Sequence, residues 1–518
     1  MTCQEVLDAH GVGELPRTLD RFLIRQRWFG GHGRTTRAVS VEDVAVVNES
    51  DPTLLVLIVR VTYADGGAES YNVPVGVRGG VAARGLAPER VIAADSAPGA
   101  DVTAFDALAD GECAALLWRA LARGGSLESC EGVLDFSGGS QGMAPQAYEL
   151  SPLTGDHSNS AVIWHDRQFL KYIRRVEPGP SIELEMGRAL ADSGFTHMAT
   201  ITGSILYRRH DWTDAAPVAL VQPFLADGTD AWTLAVATVN DLYDALGEEG
   251  LRPGEHASAR TLLELKRAFV REAAELGQIT AQLHHALGSD QLGGGMKPRP
   301  VTATMLSDWA EEMIFELNDL LAQSEPEPGM LIGLRRRRAD VVTPFERLRA
   351  VVPAGLATRV HGDYHLGQVM RSKDRWFILD FEGEPRRPPE QRRRLYSPLR
   401  DVAGMLRSFD YAAGATLAER VPPTHPRWRH LLRHGDDWSA QCRRAFWTAY
   451  QAATSSAVLL PGGAAGLVVR HAFEMHKAVY EVRYELAHRP QWTAIPLTFL
   501  LDAGGEAADA SSEAPATM

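Results

Sequence analysis

The stretch that most constrains this chain is Arg359-Val-His361-Gly362-Asp363-Tyr364-His365-Leu366-Gly367-Gln368-Val369, followed shortly by Phe377-Ile-Leu-Asp380-Phe-Glu382-Gly-Glu384. An apolar approach leads into His361-Gly362-Asp363, and Gln368, with its amide oxygen, stands five positions after Asp363. A strand-like apolar run then delivers Asp380. Phosphoryl transfer from ATP needs parts of these kinds: a carboxylate to hold the attacking hydroxyl, and oxygen ligands for the magnesium that bridges the phosphates. The order Asp, amide, Asp, at this spacing, is the one a phosphotransferase catalytic loop uses. Loop capping in a strand-turn-strand would account for any one of these residues but not for the array.

At 518 residues the chain exceeds one ordinary core and implies two or three domains. Hydrophobic residues make up 45% and charged residues 23%, an ordinary globular balance. The net charge of −13 excludes a general nucleic-acid or anionic-membrane binder, because both targets repel an acidic surface. The basic runs Arg335 to Arg338 and Arg392-Arg393-Arg394 read as solvated faces. Cys3, Cys113, Cys130 and Cys442 are scattered without a Cys-x-x-Cys or Cys/His pattern, so neither a zinc site nor a disulfide framework is expected. The first residues lack an apolar signal-peptide core, and no run approaches the ~18 apolar residues of a membrane span. The expectation is a cytoplasmic protein with no membrane partner.

Four regions follow from composition and periodicity. Residues 1–95 read as a β-rich cap: an amphipathic segment, Leu15 to Gln26, then alternating runs Ala38 to Val47 and Leu54 to Tyr63, extended by Glu69 to Val75. Residues 96–227 read as a nucleotide-binding lobe with a sheet. It opens with helical spacing over Asp106 to Arg123. A strand pair then joins at His165-Asp166-Arg167, placing Gly155 to Ser160 before the first strand and Lys171 inside the second. A loop of small and amide residues, Ser158-Asn159-Ser160 among them, can meet phosphates through backbone N–H groups. A lysine centred in an apolar strand costs desolvation unless it meets an anion or a partner, and Glu183 and Glu185 on the next helix are the candidates. Val218 to Asp227 reads as a buried strand leading into a connector. Residues 228–502 read as mainly helical, over Ala231 to Leu246, Ala259 to Leu287, Leu306 to Ser324, Val342 to Val351, Ser397 to Ala413, Ser439 to Ala457 and Gly466 to Leu486. Residues 503–518 are small, polar and acidic, the composition of a disordered tail.

The runs HGDYHLGQV, ILDFEGEPRRPPEQRRR and SPLRDVAGMLRSFDYAA closely resemble the bacterial maltokinase family. So do QRWFGGHGR, LKYIRRVEPGP and EMHKAVYEVRYEL with HRPQWTAIPL. The resemblance spans residues 20 to 500. It implies an α+β, bilobal, protein-kinase-like fold of the aminoglycoside-phosphotransferase type, with an N-terminal cap and a helical C-lobe. It also implies transfer of the ATP γ-phosphate to the anomeric hydroxyl of maltose, for α-glucan synthesis. By position, Asp363 is the implied base, Gln368 and Asp380 the magnesium ligands, Lys171 the phosphate-binding lysine and Glu185 its helix partner. Glu382 is a further carboxylate for a second metal. The chain departs from the family pattern at Tyr364, at Asp156 to Ser160, at His476 and at Arg483.

His361 reads as a structural loop histidine rather than a base. Arg400 and Asp401 either brace the catalytic loop or bind sugar. Tyr480, Glu481, Tyr484 and Glu485 lie along one side of a helix, an aromatic and carboxylate surface that suits carbohydrate, although the two tyrosines also suit a core. His476 and Arg483, if turned to the sugar, would repel an ammonium-bearing acceptor, which favours maltose. The alternatives are a glucosamine or other monosaccharide kinase of this fold, and an inactive scaffold that docks a glucan-pathway enzyme through the cap.

Overall fold

In a computed structural model of the chain, the residues described are 1–79, 87–97, 100–138, 146–153, 159–165, 167–247, 259–323, 329–352, 354–384, 387–454 and 458–506. They form two compact units, Met1–Arg188 with Ala199–Ala226, and Ala189–Met198 with Asp227–Met518.

The first unit holds two antiparallel sheets. Helices α1 (Cys3–Ala9) and α2 (Leu19–Leu23) precede β1 (Thr36–Asn48), β2 (Thr53–Tyr63), β3 (Ala68–Gly79), β4 (Val91–Ala97) and β5 (Ala100–Asp106), which pair in the order β1-β2-β3-β5-β4. The run that forms β2 is almost wholly apolar because it is buried on both faces. Leu54, Val56 and Ile58 enter one core, whereas Leu55, Leu57, Val59 and Val61 enter the other, with Phe22, Trp28 and Phe29. After α3 (Gly111–Arg123), the second sheet comprises β6 (Gly125–Glu128), β7 (Gly132–Gly138), β8 (Leu150–Leu153), β9 (Ser160–Trp164), β10 (Gln168–Tyr172), β12 (Gly203–Arg209) and β13 (Ala216–Pro223). Its order is β6-β7-β12-β13-β10-β9-β8, while β11 (Arg175–Val176) joins β3 of the first sheet. Helix α4 (Ile182–Asp192) follows β11.

The second unit is mainly helical: α5 (Ala231–Gly247), α6 (Ala259–Arg267), α7 (Val270–Leu287), α8 (Ala303–Ala322), α9 (Ile332–Arg336), α10 (Arg338–Arg347), α11 (Pro389–Arg392), α12 (Leu399–Arg420), α13 (Trp428–Thr454), α14 (Gly463–His488) and α15 (Ala494–Glu506). Short strands β14 (Thr229–Asp230), β17 (Val369–Ser372) and β18 (Arg375–Ile378) make a three-stranded ribbon, and β15 (Arg299–Pro300) pairs with β16 (Leu356–Ala357). No described helix is long and apolar enough to cross a membrane.

Several boundaries differ from the sequence reading. The helix expected from Asp106 starts at Gly111, because Asp110 caps it by accepting the Cys113 amide, and Asp106 ends β5 instead. The first sheet thereby runs past residue 95 to Asp106. The helix expected over 259–287 breaks at Phe269, whose buried ring packs against Phe409 and Trp438. At the C-terminus α15 reaches Glu506, so the first residues assigned to a tail are helical, and 507–518 lie outside the described residues.

A buried ion pair joins the end of β5 to the short link between β10 and β11. The fully buried Arg174 donates to Asp106 Oδ2 at 2.6 Å and to Ser160 Oγ at 2.8 Å, and its guanidinium lies 4.6 Å from the Trp28 ring centre. Removing one partner strands the other charge in a dry interior, which costs more than the pair itself contributes. Asp106→Ala should therefore destabilise the protein by about 3–5 kcal/mol, read as a lowered denaturant midpoint at unchanged m-value. Asp106→Asn should recover part of that loss.

Candidate functional site

In the second unit the site is built on one loop and two helices. Residues 359–368 cross from β16 to β17 with Gly362 at φ +85°, and a Cβ there would meet the Gly383 backbone at 3.3 Å. The buried Asp401, in the first turn of α12, holds this loop by its main chain. Its Oδ2 accepts the His361 amide at 2.7 Å and its Oδ1 the Gly362 amide at 2.9 Å, while His284 Nε2 lies 3.2 Å from Oδ2. Three and seven residues on, Gly404 lets the Tyr364 carbonyl approach, and Ser408 Oγ accepts the Leu366 amide at 3.0 Å. Burial pushes the Asp401 carboxyl up, but His284, then His361 and the Gly362 amide, outweigh it and hold it below the usual range.

Asp401 is therefore not a sugar ligand, as one of the two sequence readings had it, because both its oxygens are committed to the loop and to His284. Arg400 has its guanidinium 4.1 Å from the Tyr396 ring centre and lines a small cavity with Gly362, Lys477 and Tyr480. His361 is structural in its contacts: Nε2 donates to the Leu379 carbonyl at 2.8 Å, and Nδ1 accepts the Asp363 amide at 3.4 Å. Tyr364 fills the core, its hydroxyl 2.9 Å from that of Thr280.

Asp363 faces a cavity of about 350 Å³ whose walls include Trp232, His365, Tyr411, Tyr480, Tyr484 and Trp492. Lys477 of α14 reaches it, Nζ to Oδ1 at 3.3 Å. Burial pushes the Asp363 carboxyl up, but Lys477, His365 and His361 outweigh it and hold it ionised below the usual range. For Lys477 burial acts downward, and Asp363, Glu384 and Glu481 outweigh it. Lys477 escaped the sequence reading, although it lies one helical turn before Tyr480 and Glu481 on the same stripe. Tyr480 and Tyr484 stack with ring centres 6.4 Å apart, and the Tyr480 hydroxyl donates to Glu384 Oε1 at 2.8 Å.

Glu481 lines the same cavity but is ion-paired behind it. Its Oε2 accepts Arg407 Nη2 at 2.9 Å and Nε at 3.1 Å. Arg407 also meets Asp410 at 2.8 Å, Asp410 meets Arg443 at 2.9 Å, and Arg443 pairs with Glu474. Glu485 pairs with Arg489 at 2.8 Å. His476 and Arg483 were expected to face the sugar. They lie at the edge of the lining stripe, one position before Lys477 and Tyr484, and their charged partners are on α8. His476 Nε2 lies 3.0 Å from Glu316 Oε2, and Arg483 Nη2 lies 2.9 Å from Asp319 Oδ2. The charge argument against an ammonium sugar, as built on these two residues, therefore falls away.

The residues proposed as metal ligands come together at the end of the ribbon. Gln368 Nε2 donates to Asp380 Oδ2 at 3.3 Å, and carboxylate oxygens of Asp380 and Glu382 approach within 4.8 Å. Asp380 has φ +62°, a left-handed conformation costly for a non-glycine residue and concentrated at functional sites. Two carboxylates and an amide whose oxygen is exposed by a flip are hard oxygen donors, a set that fits magnesium.

In the first unit Lys171, on β10, pairs with Glu183 of α4, Nζ to Oε2 at 2.9 Å. Glu185, the helix partner implied by the sequence, stands two positions further along the same helix. Ser160 begins β9 and accepts from Arg174, and Asn159 precedes it, whereas Ser158 lies outside the described residues.

Residues 22–110 match the family described as the maltokinase N-terminal cap domain. Over 399 residues the chain is 30% identical to a glucosamine kinase of Streptacidiphilus jiangxiensis, covering 74% of this chain and 79% of that one. A glucosamine kinase of Mycolicibacterium smegmatis is 27% identical over 358 residues, covering 68% and 80%. A solved glucosamine kinase in complex with glucosamine, ADP and inorganic phosphate superposes with TM-score 0.61 at 23% identity, covering 93% of this chain and 98% of that one. The α+β kinase fold expected from the sequence, with a β-rich N-terminal region and a helical C-terminal part, is the fold found.

Asp401 gives a pH-dependent prediction. Its folded carboxyl is held below the unfolded value, so its contribution is complete above roughly pH 4 and is lost as pH falls through the depressed folded value. Asp401→Asn should cost about 2–4 kcal/mol at neutral pH, and the gap to the parent should narrow in denaturation series taken progressively below pH 4. A gap independent of pH would show that the carboxylate charge is not what holds the loop.

Proposed function

We propose that this chain, which belongs to the family of the Streptacidiphilus jiangxiensis glucosamine kinase, transfers the γ-phosphoryl group of ATP to the anomeric hydroxyl of maltose. An ATP-dependent sugar kinase is the reading that family membership and fold support together. The observation that carries the acceptor half is the placement of Asp363, a carboxylate held ionised in a cavity walled by stacked aromatic rings. Aromatic faces take the apolar faces of a sugar ring, and a carboxylate within reach orients a hydroxyl and takes its proton as the hydroxyl attacks. Lys477 opposes the upward push of burial on that carboxyl. Lys171, fixed by Glu183, is the residue assigned to the nucleotide phosphates. Gln368, Asp380 and Glu382 are the residues that would hold magnesium, which supplies charge neutralisation on the phosphates.

The choice of maltose rests on charge balance. Among the described residues the cavity has three acids, Asp363, Glu481 and Glu485, and each has its own cation, Lys477, Arg407 and Arg489. Burial also pushes the Glu481 carboxyl up, against Arg407 and Lys477. A sugar ammonium would find no uncompensated anion, whereas a neutral disaccharide meets hydroxyl acceptors and aromatic faces. The matching maltokinase cap supports the same choice. A glucosamine acceptor is the second reading, favoured by the names of the relatives. The test is transfer from ATP to maltose, glucose and glucosamine at matched concentration, with the product located by phosphorus–proton NMR. Maltose 1-phosphate as the fastest product is expected. A faster glucosamine reaction, or phosphate on a primary hydroxyl, would replace the acceptor, and absence of transfer to every sugar would remove the kinase reading.

A further inference from the structure

Apart from the kinase residues, the first unit brings together two cysteines that are remote in sequence. Cys3 opens α1, and Cys130 lies in the turn between β6 and β7. Their Sγ atoms and a carboxylate oxygen of Asp43 all lie within 4.8 Å of one another. Two thiolates and a carboxylate would suggest a metal site, but Asp43 is already spent. Its Oδ1 accepts the amides of Val44 at 2.7 Å and Glu131 at 2.9 Å, and its Oδ2 accepts the hydroxyls of Ser129 at 2.6 Å and Tyr207 at 2.7 Å. Four donors fill the four lone-pair directions of a carboxylate and leave none for a cation.

What remains is a pair of thiols on unequal mounts. The Cys130 backbone is fixed, its amide donating to the Val44 carbonyl at 3.1 Å, and both sequence neighbours are held by Asp43. Cys3 sits on a seven-residue helix seated through Val6 and Leu7, with its thiol donating weakly to the Glu42 carbonyl at 3.6 Å. The other two cysteines, Cys113 and Cys442, are fully buried.

We propose that Cys3 and Cys130 form a modification site, a dithiol that a hydroperoxide converts into an intramolecular disulfide pinning α1 to the β6–β7 turn. Burial, then the neighbouring Cys130 sulfur, pushes the Cys3 thiol up to about 12, so Cys3 stays protonated and is assigned the second, resolving step. The Cys130 sulfur attacks the peroxide, the O–O bond breaks, and a sulfenic acid forms as the peroxide leaves as alcohol or water. The Cys3 sulfur, giving up its proton, then attacks that sulfur, and the S–S bond forms as water departs. Two thiols lose two electrons and one hydroperoxide gains them.

The experiment treats the reduced full-length chain with hydrogen peroxide, blocks remaining thiols by alkylation and maps peptides by mass spectrometry. A monomer lighter by two hydrogens is expected, with the Cys3 and Cys130 peptides linked and Cys113 and Cys442 alkylated only after unfolding. Oxidation should raise the unfolding temperature, and both effects should vanish in Cys3→Ser and in Cys130→Ser yet persist in Cys113→Ser. Sulfinic or sulfonic acid on Cys130 alone, a disulfide between two chains, or full alkylation of both thiols after peroxide would each overturn the proposal. So would stoichiometric zinc binding by the reduced chain that Cys3→Ser abolishes.

Discussion

The hold of Asp401 on the His361 and Gly362 amides is the constraint on which the site depends. A loop that must present Asp363, Gln368 and then Asp380 carries backbone donors that no strand or helix satisfies. One buried carboxylate satisfies two of them and fixes the path at the same time. The helix carrying it repeats the service at one-turn intervals, with Gly404 giving room to Tyr364 and Ser408 taking the Leu366 amide. His284, itself 2.8 Å from the Tyr450 hydroxyl, holds Asp401 from behind. The loop geometry thus rests on α7, α12 and α13 rather than on the loop's own sequence.

The acceptor cavity is organised by charge in the same way. From Glu481 a line of alternating charges runs inward through Arg407, Asp410, Arg443 and Glu474. Burying that many ions is costly, and each is tolerated because its neighbours in the line are opposite in sign. The Arg407 guanidinium is also covered by the Phe499 ring, 4.1 Å away on α15. This network ties α12 and α13 to the α14 helix that bears Lys477, Tyr480 and Tyr484.

The loop array could be picked out because its spacing is local: Gln368 stands five positions after Asp363, and one short strand pair carries the chain on to Asp380. The β1–β3 hairpins were legible for a similar reason, Val- and Ile-rich runs split by turn residues. What escaped was decided by rotation about a helix axis and by partners distant in sequence. Lys477 and His476 are adjacent, yet one faces Asp363 and the other Glu316. Glu183 and Glu185 were equivalent on paper, and the structure shows the ion pair of Lys171 with Glu183. Asp401 had two readings, and only the position of two backbone amides some forty residues earlier in the chain decided for the brace.

The central claim is that Asp363 acts as an ionised base because Lys477 stands against it. The measurement that tests it most directly is the pH dependence of kcat/KM for phosphoryl transfer in the parent and in Lys477→Met. Burial is the largest single influence on Asp363, and without the ammonium less opposes it, so the carboxyl rises and protonation silences the base at a higher pH. The acidic limb of the profile should move up by about one pH unit or more, with the loss of rate greatest at low pH. A profile that keeps its acidic limb in place, or falls evenly at every pH, would contradict the account.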